Sequence, residues 1–195
     1  MVNRRRFLTA SAAIGGVGST AGCLDRLSAG SADAEPDPVD LSGGTFDDDH
    51  GMEIGPHGGA NGQIYYANHA PPDREGGPFW FHTLVFSLFP FHFDRLDRGW
   101  EPEIIYVTDF STVDWTIEDR ESGPTMPSPT APETFGDATT LTYVVESDVR
   151  GGMGPGLHPF SEADEAAAFV DDHGGRTIGF DDIDRVLVQG LRDGE

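Results

Sequence analysis

Two glycine-rich stretches carry the side chains best suited to holding a metal ion. The first reads Asp47-Asp48-Asp49-His50-Gly51-Met52, with His57 five residues further on. The second reads Gly151-Gly152-Met153-Gly154-Pro155-Gly156-Leu157-His158. Apart from Met1 the chain has three methionines, and two of them stand in these stretches beside a histidine. Thioether sulfur with imidazole nitrogen suits copper, above all Cu(I), which accepts soft ligands in low-coordinate sites. Glycines around Met153 let its flexible side chain and the backbone come close to an ion. Met153, His158, His50 and Met52 are therefore candidate ligands, with His92 in reserve. A plain structural reading stands beside this one. A methionine in a glycine turn also serves as a plug over a core, and a histidine before Pro159 also serves as a helix-entry residue. His69, His82 and His173 read as structural or surface histidines.

Other chemistry finds no support. The chain lacks G-x-S-x-G, a P-loop, a dinucleotide fingerprint, H-E-x-x-H and C-x-x-C. Acidic residues are so many that carboxylate pairs arise by chance; Asp171-Asp172, for example, falls on the polar face of a helix. The chain is not expected to be an enzyme.

The elements that must position these residues follow from pattern and turn chemistry. Gln63-Ile64-Tyr65-Tyr66 after Asn61-Gly62 reads as a strand. Phe79 to Leu96 reads as a buried strand end and then a helix that Pro90 interrupts or kinks. Glu103 to Thr108 is a strand. Trp115-Thr116-Ile117 and Leu141 to Val145 are strands separated by a proline-rich loop, Gly123 to Pro132. Ser161-Glu162-Ala163-Asp164 opens a helix to His173 that stops at Gly174-Gly175. A strand from Arg176 to Phe180 and a helix near Asp182 to Leu191 close the chain. The expected fold is α+β, two tandem and related ββαβ units packed together, residues 46–122 and 123–195.

The N-terminus reads as an export signal. Arg4 and Arg5 form a twin arginine, a mild apolar run follows, and Ala21-Gly22-Cys23 ends it. The run is too short and too polar to span a bilayer of ~30 Å. A cysteine after Ala-Gly is the pattern of lipoprotein processing, so Cys23 is the expected lipidation site, anchoring the protein on the outer face of the cytoplasmic membrane. Simple secretion with a free thiol is the alternative. Residues 1–22 are thus a signal. Residues 23–45, with no apolar period, read as a disordered tether.

Charge narrows the partners. The chain carries 34 Asp and Glu against 12 Arg and no Lys, a formal charge of −22. With three arginines and no acid before residue 23, the remainder stands at −25 (nine Arg against 34 acids). Such repulsion destabilises a compact fold at low salt, while molar salt cuts the screening length to ~3 Å. The pattern is that of an extreme halophile. Nucleic acid is excluded as a partner, because phosphate binding needs clustered Lys and Arg.

The stretch Tyr106 to Trp115, the segment Gly152-Met153-Gly154 to Phe160, then Ala166 to Gly175 and Asp181-Asp182-Ile183, resembles the NosL family of nitrous oxide reductase accessory proteins. Asn61 to Tyr66 and Phe89-Pro90-Phe91-His92-Phe93 fit the same pattern, so the likeness runs in order over roughly residues 46–185. The resemblance implies an exported, lipid-anchored protein of two related ββαβ units. It further implies that the chain binds Cu(I) and delivers it to an extracytoplasmic copper enzyme such as nitrous oxide reductase. The family's methionine maps onto Met153. Its Cys-x-x-Cys-Gly-Met, however, meets Asp47, Asp48, Asp49, His50, Gly51 and Met52 here. Asp47 and His50 stand where thiolates are expected, which makes Asp47 a further candidate ligand. A carboxylate and an imidazole are harder donors than two thiolates, so Cu(II) or Zn(II) should be better tolerated. The alternative is a divergent member that has lost the metal and works as a membrane-tethered assembly or interaction lipoprotein.

Overall fold

In the computed structural model, residues 35–194 are described. Nine short strands and three α-helices lie among them: β1 Gly62–Tyr66, β2 Phe79–Phe81, α1 Phe89–Asp97, β3 Pro102–Thr108, β4 Glu118–Arg120, β5 Gly123–Thr125, β6 Phe135–Asp137, β7 Thr142–Val145, β8 His158–Phe160, α2 Ala163–His173, β9 Arg176–Ile178 and α3 Arg185–Asp193. The fold is mixed α and β, as expected. A four-stranded sheet runs β2-β1-β3-β6, a three-stranded sheet runs β8-β7-β9, and β4-β5 is a separate hairpin. All strand pairings within these sheets are antiparallel. Each of the two larger sheets contains a strand, strand, helix, strand sequence whose first strand lies in the middle.

One apolar core serves both sheets. Ile64, Phe81 and Val107 of the first sheet pack with Tyr143, Val144, Val145 and Phe160 of the second, under Phe89, Phe169 and Val188 of the three helices. The first sheet does not end at residue 122: β6 hydrogen-bonds to β3, and the β4-β5 hairpin straddles that boundary. The expected strand at Trp115–Ile117 is absent. Trp115 instead packs edge-on against Phe160 and Phe169, so its burial comes from a loop.

Residues 36–45 are not a tether. Gln63 is fully buried in β1 and uses its side-chain amide as a substitute strand partner: its Oε1 accepts the Val39 N–H at 2.9 Å and its Nε2 donates to the Val39 carbonyl at 2.7 Å. The hydroxyls of Tyr65 and Tyr106 donate to the carbonyls of Asp37 and Pro36. Leu41 then packs with Ile54 and Phe135 in a second small core. Two apolar residues suffice here because the sheet supplies the polar contacts. Arg4, Arg5 and Cys23 lie outside the described residues, and so does most of the expected tether. Among the described residues no helix is long and apolar enough to cross a membrane.

The segment before α1 sets up the site. Leu84–Leu88 forms a wide π-helical turn, in which the Leu88 N–H reaches back five residues to the Thr83 carbonyl at 3.0 Å. This turn delivers the chain to Pro90 in the first turn of α1, where no backbone N–H is required. Pro90 thus stands inside a helical run that begins at Leu84, where the π turn passes into the α-helix, and the expected interruption takes the form of that change of helix type.

Candidate metal centre

The Asp47–Met52 stretch is a tight loop built around one carboxylate. The Asp47 N–H donates to the Met52 carbonyl at 2.8 Å, and the Gly51 N–H donates to the Asp47 carbonyl at 2.9 Å. Gly51 has φ +65°, which favours glycine. Asp47 Oδ1 accepts the N–H groups of Asp49 at 2.7 Å and His50 at 2.8 Å, the local bonding that makes aspartate a turn residue. Its other oxygen, Oδ2, accepts the backbone N–H of His82 at 2.8 Å and lies 2.6 Å from His82 Nδ1. Both side chains are fully buried. Burial works against the charge of Asp47. The hydrogen bonds from the His82 ring, the His50 and His82 amides and the Ser87 hydroxyl outweigh it, and the carboxyl titrates at about 2. Asp47 is an anion at neutral pH.

That anion decides which nitrogen of His82 is free. A proton on Nδ1 satisfies the carboxylate, so Nε2 presents its lone pair. Nε2 lies 3.1 Å from Met153 Sδ. Two lone-pair donors at this distance need an electrophile between them: a second ring proton, or a soft cation that both donors prefer. Metal bonds of roughly 2.0 Å to nitrogen and 2.3 Å to sulfur would hold the two atoms roughly 3.5 Å apart at a tetrahedral angle. The sulfur needs to withdraw by roughly 0.4 Å to admit an ion at that angle, and by roughly 1.2 Å for a linear two-coordinate ion, where the two bonds span roughly 4.3 Å. Met153 is 46% exposed and free to do so.

The two glycine-rich turns meet in space, backbone against backbone. A Cβ on Gly152 would come within 2.6 Å of the Gly58 carbonyl oxygen, and one on Gly59 within 2.5 Å of the Gly152 nitrogen. Only glycine permits this approach, and it carries His57 and Met153 to the same rim. The rings of His57 and His50 lie edge-on to His82, with centroids 6.0 and 6.2 Å away. Among the described residues no three His, Cys, Asp or Glu side chains close into a metal cage by themselves. The thioether is what completes a donor set here. A groove of about 610 Å³ between α1 and α3 touches none of these residues; a bare ion is held by donor atoms and needs no large cavity.

The expected ligands fare differently. Met153 points to His82. His50 is exposed beside the pair, its Nδ1 3.4 Å from the Asp49 carboxylate. Asp47 is turned onto His82 and backbone amides, away from the sulfur, because a buried carboxylate surrounded by N–H donors is already satisfied. Met52 contributes its carbonyl to the loop, and its sulfur forms no polar contact with another group among the described residues. His158 is not brought to the pair. Its ring is fully buried against Phe110 and Phe169, with Nε2 3.0 Å from the Val149 carbonyl, and burial pulls its pKa down to about 4. His92 is likewise buried, 3.1 Å from the Tyr66 hydroxyl, and titrates at about 4 because it is desolvated. His82 is the residue that sequence reasoning passed over. Its signal was a single ionisable residue closing the aromatic strand Phe79-Trp80-Phe81.

Comparison with known proteins places this chain in a family. The family model described as NosL matches residues 38–188. The copper-binding lipoprotein NosL of Stutzerimonas stutzeri is 43% identical over 53 residues, 27% of this chain and 28% of that relative, so the match spans little more than a quarter of the relative's length. The crystal structure of the copper chaperone NosL from Shewanella denitrificans superposes with a TM-score of 0.61 at 22% identity, covering 78% of this chain and 98% of that one. Apo-NosL from Achromobacter cycloclastes, at 28% identity, gives a TM-score of 0.38 over 65% of this chain and 87% of its own. The family match takes in both sheets, all three helices as far as Val188, and both glycine-rich turns: the chain belongs to the NosL family.

Proposed function

We propose that this protein is an exported copper carrier that binds Cu(I) between His82 and Met153 and releases it to an extracytoplasmic copper enzyme, nitrous oxide reductase being the client that family membership suggests. The observation that carries the reading is the 3.1 Å approach of His82 Nε2 to Met153 Sδ, with Asp47 holding the opposite ring nitrogen. Cargo must be gripped and surrendered. The buried, oriented imidazole supplies the grip. The half-exposed thioether is the ligand a client can displace, since it swings on a glycine turn without disturbing the core. Arg4, Arg5 and Cys23 support export by the twin-arginine route and lipid anchoring at the outer face of the membrane. With its sulfur carrying the lipid, Cys23, the only cysteine, leaves no thiolate for the site.

The replacement of a Cys-x-x-Cys by Asp47 and His50 favours a second reading, a metal-free tethered assembly module. A Cu(I) competition titration in molar salt separates the two. One Cu(I) per chain is expected, with Met153→Leu and His82→Gln each weakening it at least about tenfold, the effect of roughly 1.4 kcal/mol. Absence of Cu(I) uptake by the unaltered protein establishes the metal-free module instead. Uptake indifferent to both substitutions removes this site from the account.

A further inference from the structure

We propose that Phe86, Arg150 and Arg192, continued by the groove between α1 and α3, form the docking surface for the acidic protein that receives the copper. This rests on the copper reading above and names the side from which the receiver approaches Met153. Arg74, Arg95, Arg98, Arg120, Arg176 and Arg185 each pair with a carboxylate. Among the described residues Arg150 and Arg192 have no such partner, in a chain with 34 acidic residues. Both lie by one aromatic ring. A Cβ on Gly154 would stand 3.0 Å from Phe86 Cζ and 3.9 Å from Arg150 Nη2. The Arg192 guanidinium carbon lies 6.0 Å from the centroid of the same Phe86 ring. Gly154 follows Met153, so the two cations flank the turn that presents the exposed thioether.

Each part is held in place. The main chain of Arg150 is pinned at the β4-β5 hairpin: its N–H donates to the Pro124 carbonyl at 2.8 Å, and its carbonyl accepts the Met126 N–H at 3.3 Å. Its side-chain stem runs over Gly123, where a Cβ would meet Arg150 Cδ at 3.1 Å. Phe86 belongs to the π-helical turn and packs on the main core while staying partly exposed. Arg192 is exposed in the last turn of α3. Beyond it the groove offers Pro90, Phe93 and Val186, the last 79% exposed. Nearby carboxylates are engaged: Asp193 accepts from Gln189 Nε2 at 2.8 Å, and Asp97 from Arg185 at 2.6 Å. A surface bearing carboxylates gains arginine contacts here and meets like charge over most of the remainder, so charge confines it to this face. Molar salt removes steering at a distance, but arginine–carboxylate contacts beside apolar area persist, and burial of that area grows stronger in excluded salts. A receiver seated here lies beside Met153, the donor it displaces.

The test is nitrogen–proton NMR of the labelled protein, metal-free and Cu(I)-loaded, titrated with a short synthetic peptide in which aspartates flank a central phenylalanine. A twin peptide with lysines in place of the aspartates is the control. The aspartate peptide should shift the amides of Phe86, Arg150, Val186 and Arg192 in both forms, and the lysine twin should leave them unmoved. An Arg150→Gln/Arg192→Gln double variant should bind the aspartate peptide about tenfold more weakly and keep its Cu(I) affinity within about threefold. Shifts confined to other residues, or peptide binding undiminished in the double variant, overturn this inference and leave the Cu(I) reading standing. Self-association that the peptide displaces assigns the face to a second copy of the chain and overturns it as well. Peptide bound at these residues by a protein that takes up no Cu(I) overturns the copper reading and keeps the face as a dock for an acidic partner.

Discussion

Asp47→Asn is the sharpest perturbation, because it preserves shape and removes only charge and acceptor capacity. The carboxylate accepts from Asp49, His50 and the His82 amide, and it lies 2.6 Å from the His82 ring nitrogen. An asparagine offers one oxygen, so its NH2 must face two of these four donors. Two bonds to a charged acceptor are lost, at about 1.5–3 kcal/mol each, a total of about 3–6 kcal/mol. That approaches the whole stability of an ordinary domain, about 5–15 kcal/mol, so the variant should be studied in stabilising salt after its fold is verified by near-ultraviolet circular dichroism. In the folded variant the His82 proton is no longer pinned to Nδ1, and Cu(I) affinity should fall about 10- to 100-fold, as when a ligand's supporting group is removed. A double-mutant cycle assigns the route: in a His82→Gln background Asp47→Asn should cost almost no further affinity. Long-range nitrogen–proton NMR of the metal-free protein should find the His82 proton on Nδ1 in the unaltered chain and redistributed in the variant. An Asp47→Asn protein that is folded and binds Cu(I) with undiminished strength would refute the view that Asp47 acts through His82.

Three further outcomes follow from the same geometry. His92 and His158 are neutral in the folded state, with pKa values near 4 set by burial, whereas unfolded histidine titrates near 6.5. The unfolded chain therefore takes up protons first as pH falls. Stability is complete above about 6.5 and declines toward 4, by on the order of 3 kcal/mol per histidine. Melting followed from pH 7 to 5 should show this decline, and a flat profile would contradict it. Gly152→Ala places a methyl 2.6 Å from the Gly58 oxygen. It should part the two turns and weaken Cu(I) binding at a stability cost of about 1–3 kcal/mol, whereas Gly190→Ala, whose added Cβ meets nothing, should leave binding unchanged. With a formal charge of −22, urea midpoints should rise with KCl as screening shortens from ~10 Å at 0.1 M to ~3 Å at 1 M; insensitivity to salt would show that surface repulsion is not limiting.

Much of the fold was legible because its signals are local. Asn61-Gly62 before an apolar run marks β1, and Gly174 with φ +70° ends α2 where Gly174-Gly175 predicts a stop. What was not legible depends on distant partners. Val39 and Leu41 in an acid- and proline-rich stretch show no period, and their order comes from the Gln63 amide and from Ile54 and Phe135. In the site, composition drew attention to Met153 and His50. His82 was hidden because a histidine after Phe79-Trp80-Phe81 has the look of core packing, and that is half true: its ring is buried, with one nitrogen given to Asp47. His158 looked favourable by spacing alone. Yet β8 alternates its side chains against β7, and His158 falls on the face that packs against Phe169.

The most direct measurement is X-ray absorption at the copper edge of the Cu(I)-loaded protein. A single sulfur shell at about 2.3 Å together with imidazole scattering at about 2.0 Å is the predicted result, with the sulfur shell vanishing in Met153→Leu. A copper shell containing no sulfur, or a sulfur shell that survives that substitution, would contradict the pairing of His82 with Met153.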